Sequence, residues 1–438
     1  MARAPSSCPG VVGPVPRPVS MDEPTVHAAT APVNRFMRIK RWIAEGAGRA
    51  PPGDNPRMRN NLLPGVLALG LAACACASAA PRPVVPPVPD APVVPVVPVA
   101  VPATEGGTVT AVVSEAYVTE PVQGEELDSL ATWTGEDGRT RLFASAKSGH
   151  RLVLFDGDSG ALNGTHGRKG QAPGEFLRPN GLAVFGDLLF VVERDNRRVQ
   201  ILALPGLEPV AAFGHDELRS PYGIWLHETA PGELEAYVTD SFMDGERFDV
   251  VPPVAQLAER VRRYRLRLDA DGVGLDARHL GAFGDTGAGA LRMVESIGGD
   301  PVHDRLLVAD EYRRDQSSLR EYRLSGDYAG RSLPDGTFDG EAEGVVLWSC
   351  RNDGGYWIAV DQQAPLTRFH LFARSDLSAA GSFSGTVTAQ TDGIALHSAA
   401  TTRFPAGALF AVHDDRAVAA FDLRDIVRAL ALDPGCLP

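Results

Sequence analysis

Residues 176–201 read FLRPNGLAVFGDLLFVVERDNRRVQI, and this stretch holds the plainest secondary-structure signal in the chain. Its largely apolar runs, at 182–184, 188–192 and 199–202, are short and are separated by Gly-Asp or by a polar segment containing Asp-Asn. Short apolar runs bounded by turn-forming residues are typical of β-strands joined by tight turns. No sustained helical period occurs between residue 107 and Asp425, so we expect an all-β domain.

The same pattern recurs along the chain. Pairs of candidate strands return about every 40 to 60 residues, which is the spacing of propeller blades. A Gly stands just before or close to the innermost strand of these units, where a small residue lets strands crowd near a central channel; the positions are Gly181, Gly223, Gly298, Gly344 and Gly393. The repeat predicts a six-bladed β-propeller at 107–430, followed by a tail at 431–438. Strands within 108–119 would pair with the last blade and close the ring, removing free sheet edges.

Composition narrows the classes of partner and metal. The net charge of −13 disfavours nucleic acid, whose phosphates require basic surfaces, and is compatible with divalent cations. The five cysteines show no zinc-ligand spacing. Cys350 and Cys436 are the two cysteines of the expected globular region, and an oxidising compartment would allow a disulfide between them.

The N-terminal part contains an export signal. The basic start at Met58 and the apolar run 62–73 have the length and flanks of a signal peptide, and the run is too short to span a bilayer. Leu71-Ala-Ala-Cys74 resembles a bacterial lipobox, so residues 58–77 predict lipidation at Cys74, with Cys76 as the alternative. We therefore expect an exported, periplasmic or outer-membrane lipoprotein that meets the membrane through its lipid anchor alone.

The segments on either side of this signal need separate explanations. Residues 1–57 are either an upstream segment created by a misassigned start codon or a disordered leader before an internal anchor. Residues 78–106 are rich in Pro and Val, which favours an extended, stiff linker over a packed sheet.

Acidic residues fall at equivalent places in successive repeats. They precede the innermost strand or follow the next strand, at Glu295, Asp310-Glu311, Glu341, Glu343, Asp392 and Asp414-Asp415. In a propeller these positions converge on one mouth of the channel. Crowded carboxylates repel one another unless cations neutralise them, and hard oxygen ligands favour calcium. The alternative is that several of them are solvated turn residues.

These motifs carry two family resemblances. The unit at 168–202 resembles an NHL repeat. The C-terminal half resembles the β-propeller phytases, calcium-dependent enzymes that hydrolyse phosphomonoesters of inositol phosphates. The matching elements are Val294-Glu-Ser-Ile-Gly298 with Arg305-Leu-Leu-Val-Ala-Asp-Glu311, Glu341-Ala-Glu-Gly-Val345, and Thr391-Asp-Gly-Ile394 with 404–414. Weaker matches at Ala146-Lys-Ser-Gly149, Arg194 and Tyr222-Gly223 extend the resemblance over most of 125–425.

The resemblance implies a site. Its calcium ligands would be Glu295, Glu311, Glu343, Asp392 and Tyr222, with Glu341 nearby. Lys147 and Arg194 would bind the phosphate of the substrate, which is inositol hexakisphosphate or a related small phosphate ester. Glu295, Glu311 and Tyr222 would be the catalytic residues, since calcium activates a water for in-line attack without a covalent nucleophile. We expect the protein to act as a monomer.

The sequence also departs from the family. The paired lysines of the family appear here as Ala146-Lys147, its acidic pair corresponds at most to Glu126 and Asp128, and a long insertion follows Ser241 up to about Arg260. Arg313 and Arg314 either replace the lost cation or are surface arginines without a role in the site. The rival function is a non-catalytic NHL-type propeller that binds a protein or glycan. A lactonase using Asn180 and Asn196, and a propeller that assembles outer-membrane proteins, are further alternatives.

Overall fold

The computed structural model describes residues 110–268, 275–315 and 317–438. The predicted leader (1–57), signal peptide with Cys74 (58–77) and linker (78–106) lie outside these residues. No helix within the described ranges is long and apolar enough to cross a membrane.

Six small antiparallel sheets form a six-bladed β-propeller, as predicted. In each blade the strands follow one another outward from the channel. The first three blades contain β3 (Leu127–Thr134), β4 (Thr140–Ala146), β5 (Arg151–Asp156) and β6 (Leu162–His166); β7 (Pro179–Phe185), β8 (Leu188–Glu193), β9 (Arg198–Ala203) and β10 (Glu208–Phe213); and β11 (Pro221–Ala230), β12 (Glu233–Asp240), β13 (Val261–Leu268) and β14 (Leu275–Phe283).

The last three blades follow the same order. They contain β15 (Val294–Asp300), β16 (Arg305–Asp310), β17 (Ser318–Tyr322) and β18 (Tyr328–Ser332); β19 (Glu341–Ser349), β20 (Gly355–Gln362), β21 (Arg368–Ala373) and β22 (Ala379–Ser384); and β23 (Ile394–His397), β24 (Ala408–His413) and β25 (Ala417–Asp422). Short 3₁₀ helices lie at Val254–Glu259, Pro301–His303, Arg313–Asp315, Arg351–Asp353 and Pro434–Cys436.

The first two strands of the described chain complete the outer edges of the last two blades. β2 (Tyr117–Val118) is the outermost strand of blade 6, antiparallel to β25, as predicted. β1 (Thr110–Val112) was expected in the same blade, but it instead adds a parallel fifth strand to blade 5 beside β22. Both strands cover an outer edge that would otherwise expose unpaired backbone groups.

The C-terminal segment is fastened to blades 5 and 6. Helix α1 (Leu423–Leu430) is capped by Asp422, whose side chain accepts a hydrogen bond from the backbone N–H of Arg424. The helix buries an apolar face against these blades. Beyond it, Cys436 forms a disulfide with Cys350, the pairing that the sequence allowed. The tail at 431–438 therefore belongs to the folded domain.

Small residues let the innermost strands approach one another. A Cβ atom at Gly181 would lie 2.4 Å from the carbonyl oxygen of Tyr222 in the next blade, and one at Gly393 would lie 2.3 Å from that of Asp128. Real Cβ atoms do not approach backbone oxygens so closely, so glycine is required there. The prediction that small residues permit crowding around the channel is confirmed.

Candidate functional site

One bulge recurs in the innermost strand of blades 1 to 5. The pairing register shifts between Leu127 and Leu130 in blade 1, and between Val294 and Ile297 in blade 4. Equivalent shifts occur in the other three blades. A bulge re-aims the side chains of the residues that it leaves unpaired. With the matching position just before β23, the bulges define one residue per blade that is followed by Gly or Ser: Asp128, Asn180, Tyr222, Glu295, Glu343 and Asp392.

These six positions form a ring at one mouth of the channel. Four of them are acidic, and Asp128, Glu295 and Glu343 are buried. A void of about 10 Å³ is bounded by these three residues together with Tyr222 and Asp392. That volume is close to the space of a single water molecule or small ion.

A second set of residues at this mouth lies at the end of the second strand of each blade. The last carboxylate of that strand caps the loop that leads into the innermost strand: Asp310 accepts hydrogen bonds from the backbone N–H groups of Arg292 and Met293, at 3.2 and 3.0 Å. Glu193, Asp240 and Asp361 do the same in blades 2, 3 and 5. Asp310 is thus a structural cap, while its neighbour Glu311 lies among the ring residues.

Glu311 completes a group that could hold a cation. One carboxylate oxygen from each of Glu295, Glu311 and Glu343 lies within 4.8 Å of the other two. Burial raises the pKa of Glu311 to about 7, and burial together with the neighbouring carboxylates raises the pKa values of Glu295 and Glu343 well above their usual range. The arrangement penalises negative charge in the absence of a neutralising cation. Three hard oxygen donors at this spacing suit calcium.

Lys147 neutralises the other side of the ring. Its ammonium nitrogen lies 2.7 Å from Asp128 and 3.4 Å from Asp392, and 3.8 Å from Glu126. Burial alone would favour the neutral amine, but the facing carboxylates of Asp128 and Asp392 raise the pKa of Lys147 above its ordinary value. The structure therefore places this predicted phosphate-binding residue inside the acidic ring, where it is already paired with carboxylates.

A cavity of about 890 Å³ opens beside the three-glutamate group. Glu295, Glu311 and Tyr222 form one part of its wall. The other part carries four guanidinium groups, from the predicted Arg194 and from Arg197, Arg219 and Arg247. Arginine suits phosphate because its planar fork donates two parallel hydrogen bonds. Carboxylates and arginines thus share one cavity at the mouth of the channel.

The remaining predicted residues fall around this centre. Glu341 begins β19 beside Gln362 and lies close enough to raise the pKa of Glu311. Asp392 is partly buried and accepts hydrogen bonds from Lys147 and Gln362. Tyr222 donates its hydroxyl to Asp128 at 3.5 Å. Asp414 pairs with Arg416, and Asp415 is exposed.

Some alternatives raised by the sequence separate here. Asn180 is buried in the ring, whereas the amide of Asn196 donates to Glu193 and to the carbonyl oxygen of Gly170. Arg313 and Arg314 are exposed, and neither belongs to the lining of the arginine-bearing cavity. Of the two asparagines proposed for a lactonase site, Asn180 thus occupies a ring position, whereas Asn196 lies in the turn after β8 and is engaged by Glu193 and Gly170.

Sequence reasoning missed three of the cavity arginines and undervalued one acid. Arg197 lies in the turn between β8 and β9, and Arg247 lies inside the insertion, where no repeat position marks either of them. Arg219 did carry a signal, because Leu218-Arg219 repeats Leu177-Arg178 and Leu291-Arg292 just before the innermost strands of three blades. Asp128 did carry a signal, because Asp128-Ser129 occupies the same bulge as Glu295-Ser296.

Comparisons with known proteins assign no family to the chain. No family model matches the chain, and no curated protein matches it. A catalytically inactive virginiamycin B lyase from Staphylococcus aureus is 8% identical, with 70% of this chain and 99% of that chain covered and a TM-score of 0.41. A luciferin-regenerating enzyme is 11% identical, with 70% and 95% covered and a TM-score of 0.43. A nidogen/laminin complex is 18% identical, with 65% and 89% covered and a TM-score of 0.40.

Proposed function

We propose that this protein is a phytase-like, calcium-dependent phosphomonoesterase that hydrolyses inositol hexakisphosphate or a related phosphate ester. The observation that carries the proposal is a cavity lined both by four arginines and by Glu295 and Glu311, two members of a group of three mutually close carboxylates that Glu343 completes from outside the cavity lining. A cation on the carboxylates and guanidinium groups on the opposite wall would together attract the oxygens of a phosphate group.

The donor set of this group fits the proposed metal. Carboxylate oxygens are the ligands that calcium prefers, and the raised pKa of each of the three glutamates reflects burial and, for Glu295 and Glu343, repulsion between neighbouring carboxylates. Calcium bound there would neutralise phosphate oxygens and lower the pKa of a bound water.

The surrounding residues have supporting roles in this proposal. Arg194 would orient the phosphate, and its Nε is held by Asp195 at 2.8 Å, which limits the motion of the guanidinium group. Lys147 compensates the charge of Asp128 and Asp392, so the negative charge left for a metal lies on the three-glutamate side. Tyr222 links the two sides through its hydrogen bond to Asp128.

Location and assembly are proposed with the activity. A lipidated Cys74 would hold the domain outside the cytoplasm, where calcium is abundant and where the Cys350–Cys436 disulfide is stable. We propose that the protein acts there as a monomer on a small soluble phosphate ester.

The decisive experiment measures phosphate release by the full chain. Inositol hexakisphosphate and p-nitrophenyl phosphate are supplied with calcium or with a chelator, and the melting temperature is recorded under both conditions. We expect calcium-dependent turnover and a calcium-induced rise in melting temperature. Glu343→Gln should lose both, whereas the matched control Glu228→Gln, at the opposite mouth of the channel, should keep both.

Two other outcomes would change the assignment. If calcium produces neither turnover nor a rise in melting temperature, the proposal is overturned. A calcium-induced rise without turnover of any ester would favour the rival function, a metal-bearing propeller that binds a protein or glycan.

A further inference from the structure

The insertion between β12 and β13 builds a fixed rim on the arginine-bearing cavity. Asp244 and Val250 pair as an antiparallel bridge, with reciprocal backbone hydrogen bonds of 2.7 and 3.0 Å. The N–H of Phe248 donates to the carbonyl oxygen of Gly245 within this turn. The cavity is lined by 241–244 together with Arg247 and Phe248, so the rim is a short hairpin that faces the site.

The base of this rim is locked by a buried arginine. Arg260 is fully buried and donates to four backbone carbonyl oxygens, those of Asp240, Phe242, Leu291 and Arg292. Phe242 in turn has the guanidinium of Arg219 3.1 Å and that of Arg260 4.4 Å from its ring centre. These contacts hold the rim in one place relative to the cavity.

Phe248 lies exposed at the tip of the rim, in a backbone conformation that is unfavourable for its side chain. Its relative exposure is 75%, and it is the one aromatic among the exposed large hydrophobic residues in the described ranges. Its φ of 54° is a left-handed conformation that bulky side chains rarely adopt. An exposed ring on strained backbone at the edge of a site is a combination that points to a role in ligand binding.

The charge of the cavity limits how many phosphates it can neutralise. Of its four arginines, Arg194 is already paired with Asp195, and Arg219 with Glu259 at 2.9 Å. Six phosphomonoester groups would carry a charge of roughly −9 to −12. The four arginines, two of which are already paired with carboxylates, supply enough positive charge for one or two phosphates but far too little for six.

We propose that this cavity selects phosphomonoesters whose leaving group carries a planar aromatic ring, such as nucleoside monophosphates or aryl phosphates. The ring would stack on Phe248 while the arginines, together with a cation bound by the three glutamates, would hold the single phosphate. This inference rests on the phosphomonoesterase function proposed above. Water would form a new P–O bond, the ester P–O bond would break, and the leaving oxygen would take a proton. The products are inorganic phosphate and the free nucleoside or phenol. A volume of about 890 Å³ accommodates a ligand of this size.

Two matched substrates test the role of the ring. Adenosine 5′-monophosphate and ribose 5-phosphate share phosphate and sugar and differ in the base. With the full chain and calcium, we expect kcat/KM to be at least about tenfold higher for the nucleotide, the size of one base–aromatic stack. Phe248→Ala should remove this preference mainly through KM, and Phe248→Tyr should keep it. Val302→Ala, another exposed apolar position away from the cavity, is the control.

The outcomes separate this inference from the function on which it rests. Calcium-dependent turnover with equal kcat/KM for both substrates, or with inositol hexakisphosphate preferred, would overturn the inference and leave the phosphomonoesterase function intact. No turnover of any ester would overturn the function. Calorimetric binding would then decide the inference, since the cavity must still bind the nucleotide at least about tenfold more tightly than ribose 5-phosphate. Turnover of p-nitrophenyl phosphate comparable to that of the nucleotide would show that any aromatic leaving group is accepted. Turnover of the nucleotide alone would show that the nucleobase is required.

Discussion

Without calcium, the free energy of unfolding should fall as the pH rises from about 4.5 to about 7. Glu311 has a pKa raised from 4.5 to about 7, chiefly by burial, and Asp392 has a pKa raised to about 7 by burial and by Asp128. In this window the folded state keeps protons that the unfolded state has released, so raising the pH favours unfolding. Hydrogen-bonded carboxylates with lowered pKa values, such as Glu115, titrate below this window, whereas burial lowers the pKa of His166 and of His397, which contribute with the opposite sign inside it.

The size of the effect follows from the shift of Glu311 alone. At 1.36 kcal/mol per pH unit, a pKa raised from 4.5 to about 7 lowers the free energy of unfolding by about 3 kcal/mol between acidic pH and about pH 8. Glu343→Gln removes one of the carboxylates that face one another in the three-glutamate group. In the presence of a chelator this variant should therefore be more stable than the parent at about pH 8. Calcium should reverse the order, because it stabilises the parent and not the variant.

Urea denaturation of the parent and of Glu343→Gln at about pH 5 and about pH 8, with chelator and with calcium, measures these changes in the free energy of unfolding. Glu228→Gln, at the other mouth of the channel, is the control and should follow the parent throughout. The reasoning is refuted if the chelated parent loses no stability between the two pH values. It is equally refuted if Glu343→Gln and Glu228→Gln respond alike.

Three further predictions concern the residues that hold the site in place. Replacing Cys350 and Cys436 together by Ser opens a loop with a sequence separation of 86 residues, which corresponds to about 4.6 kcal/mol of loop-closure entropy; an unchanged urea midpoint would contradict this. Lys147→Met leaves Asp128 and Asp392 without their ammonium partner and should cost about 3 to 5 kcal/mol near pH 8. The loss should shrink at about pH 4, and an equal loss at both pH values would argue against the ion pairs as its cause. Arg260→Met removes the donors to four buried carbonyl groups, so hydrogen exchange in 241–259 should speed up and stability should drop by about 3 kcal/mol or more. Unchanged exchange there would show that the rim is held by other contacts.

Most of the fold, and the acidic half of the site, could be predicted from the sequence repeat. Glu295, Glu343 and Asp392 could be placed together from sequence because each stands before a Gly or Ser at the same point of its unit. A propeller converts equivalent repeat positions into neighbours around its channel. The same register would have admitted Asp128, had Ser129 been treated as equivalent to the glycines of the other blades.

Other parts of the site depend on distances that no local pattern encodes. The pairing of Lys147 with Asp392 joins blades 1 and 6 across the ring closure, 245 residues apart in sequence. Arg247 reaches the cavity through an insertion that no other blade shares, and the guanidinium of Arg219 is held against that insertion by Gln256 and Glu259. The parallel pairing of β1 with blade 5 likewise rests on three residues, too few for a pattern to assign a partner.

Both ends of the described chain are fastened to one blade, which determines how the domain carries mechanical tension. β1 at residue 110 lies along β22, and Cys436 is covalently attached to Cys350 next to β19 and β20. A force pulling these two ends apart is therefore taken up first by blade 5 and by its neighbour blade 6, which receives β2 and the base of α1. Because β1 runs parallel to β22, tension along it shears their hydrogen bonds together instead of peeling them one at a time. A domain held taut on a tether would thus load the outer edge of blade 5, at β1 and β22, before the innermost strands around the channel.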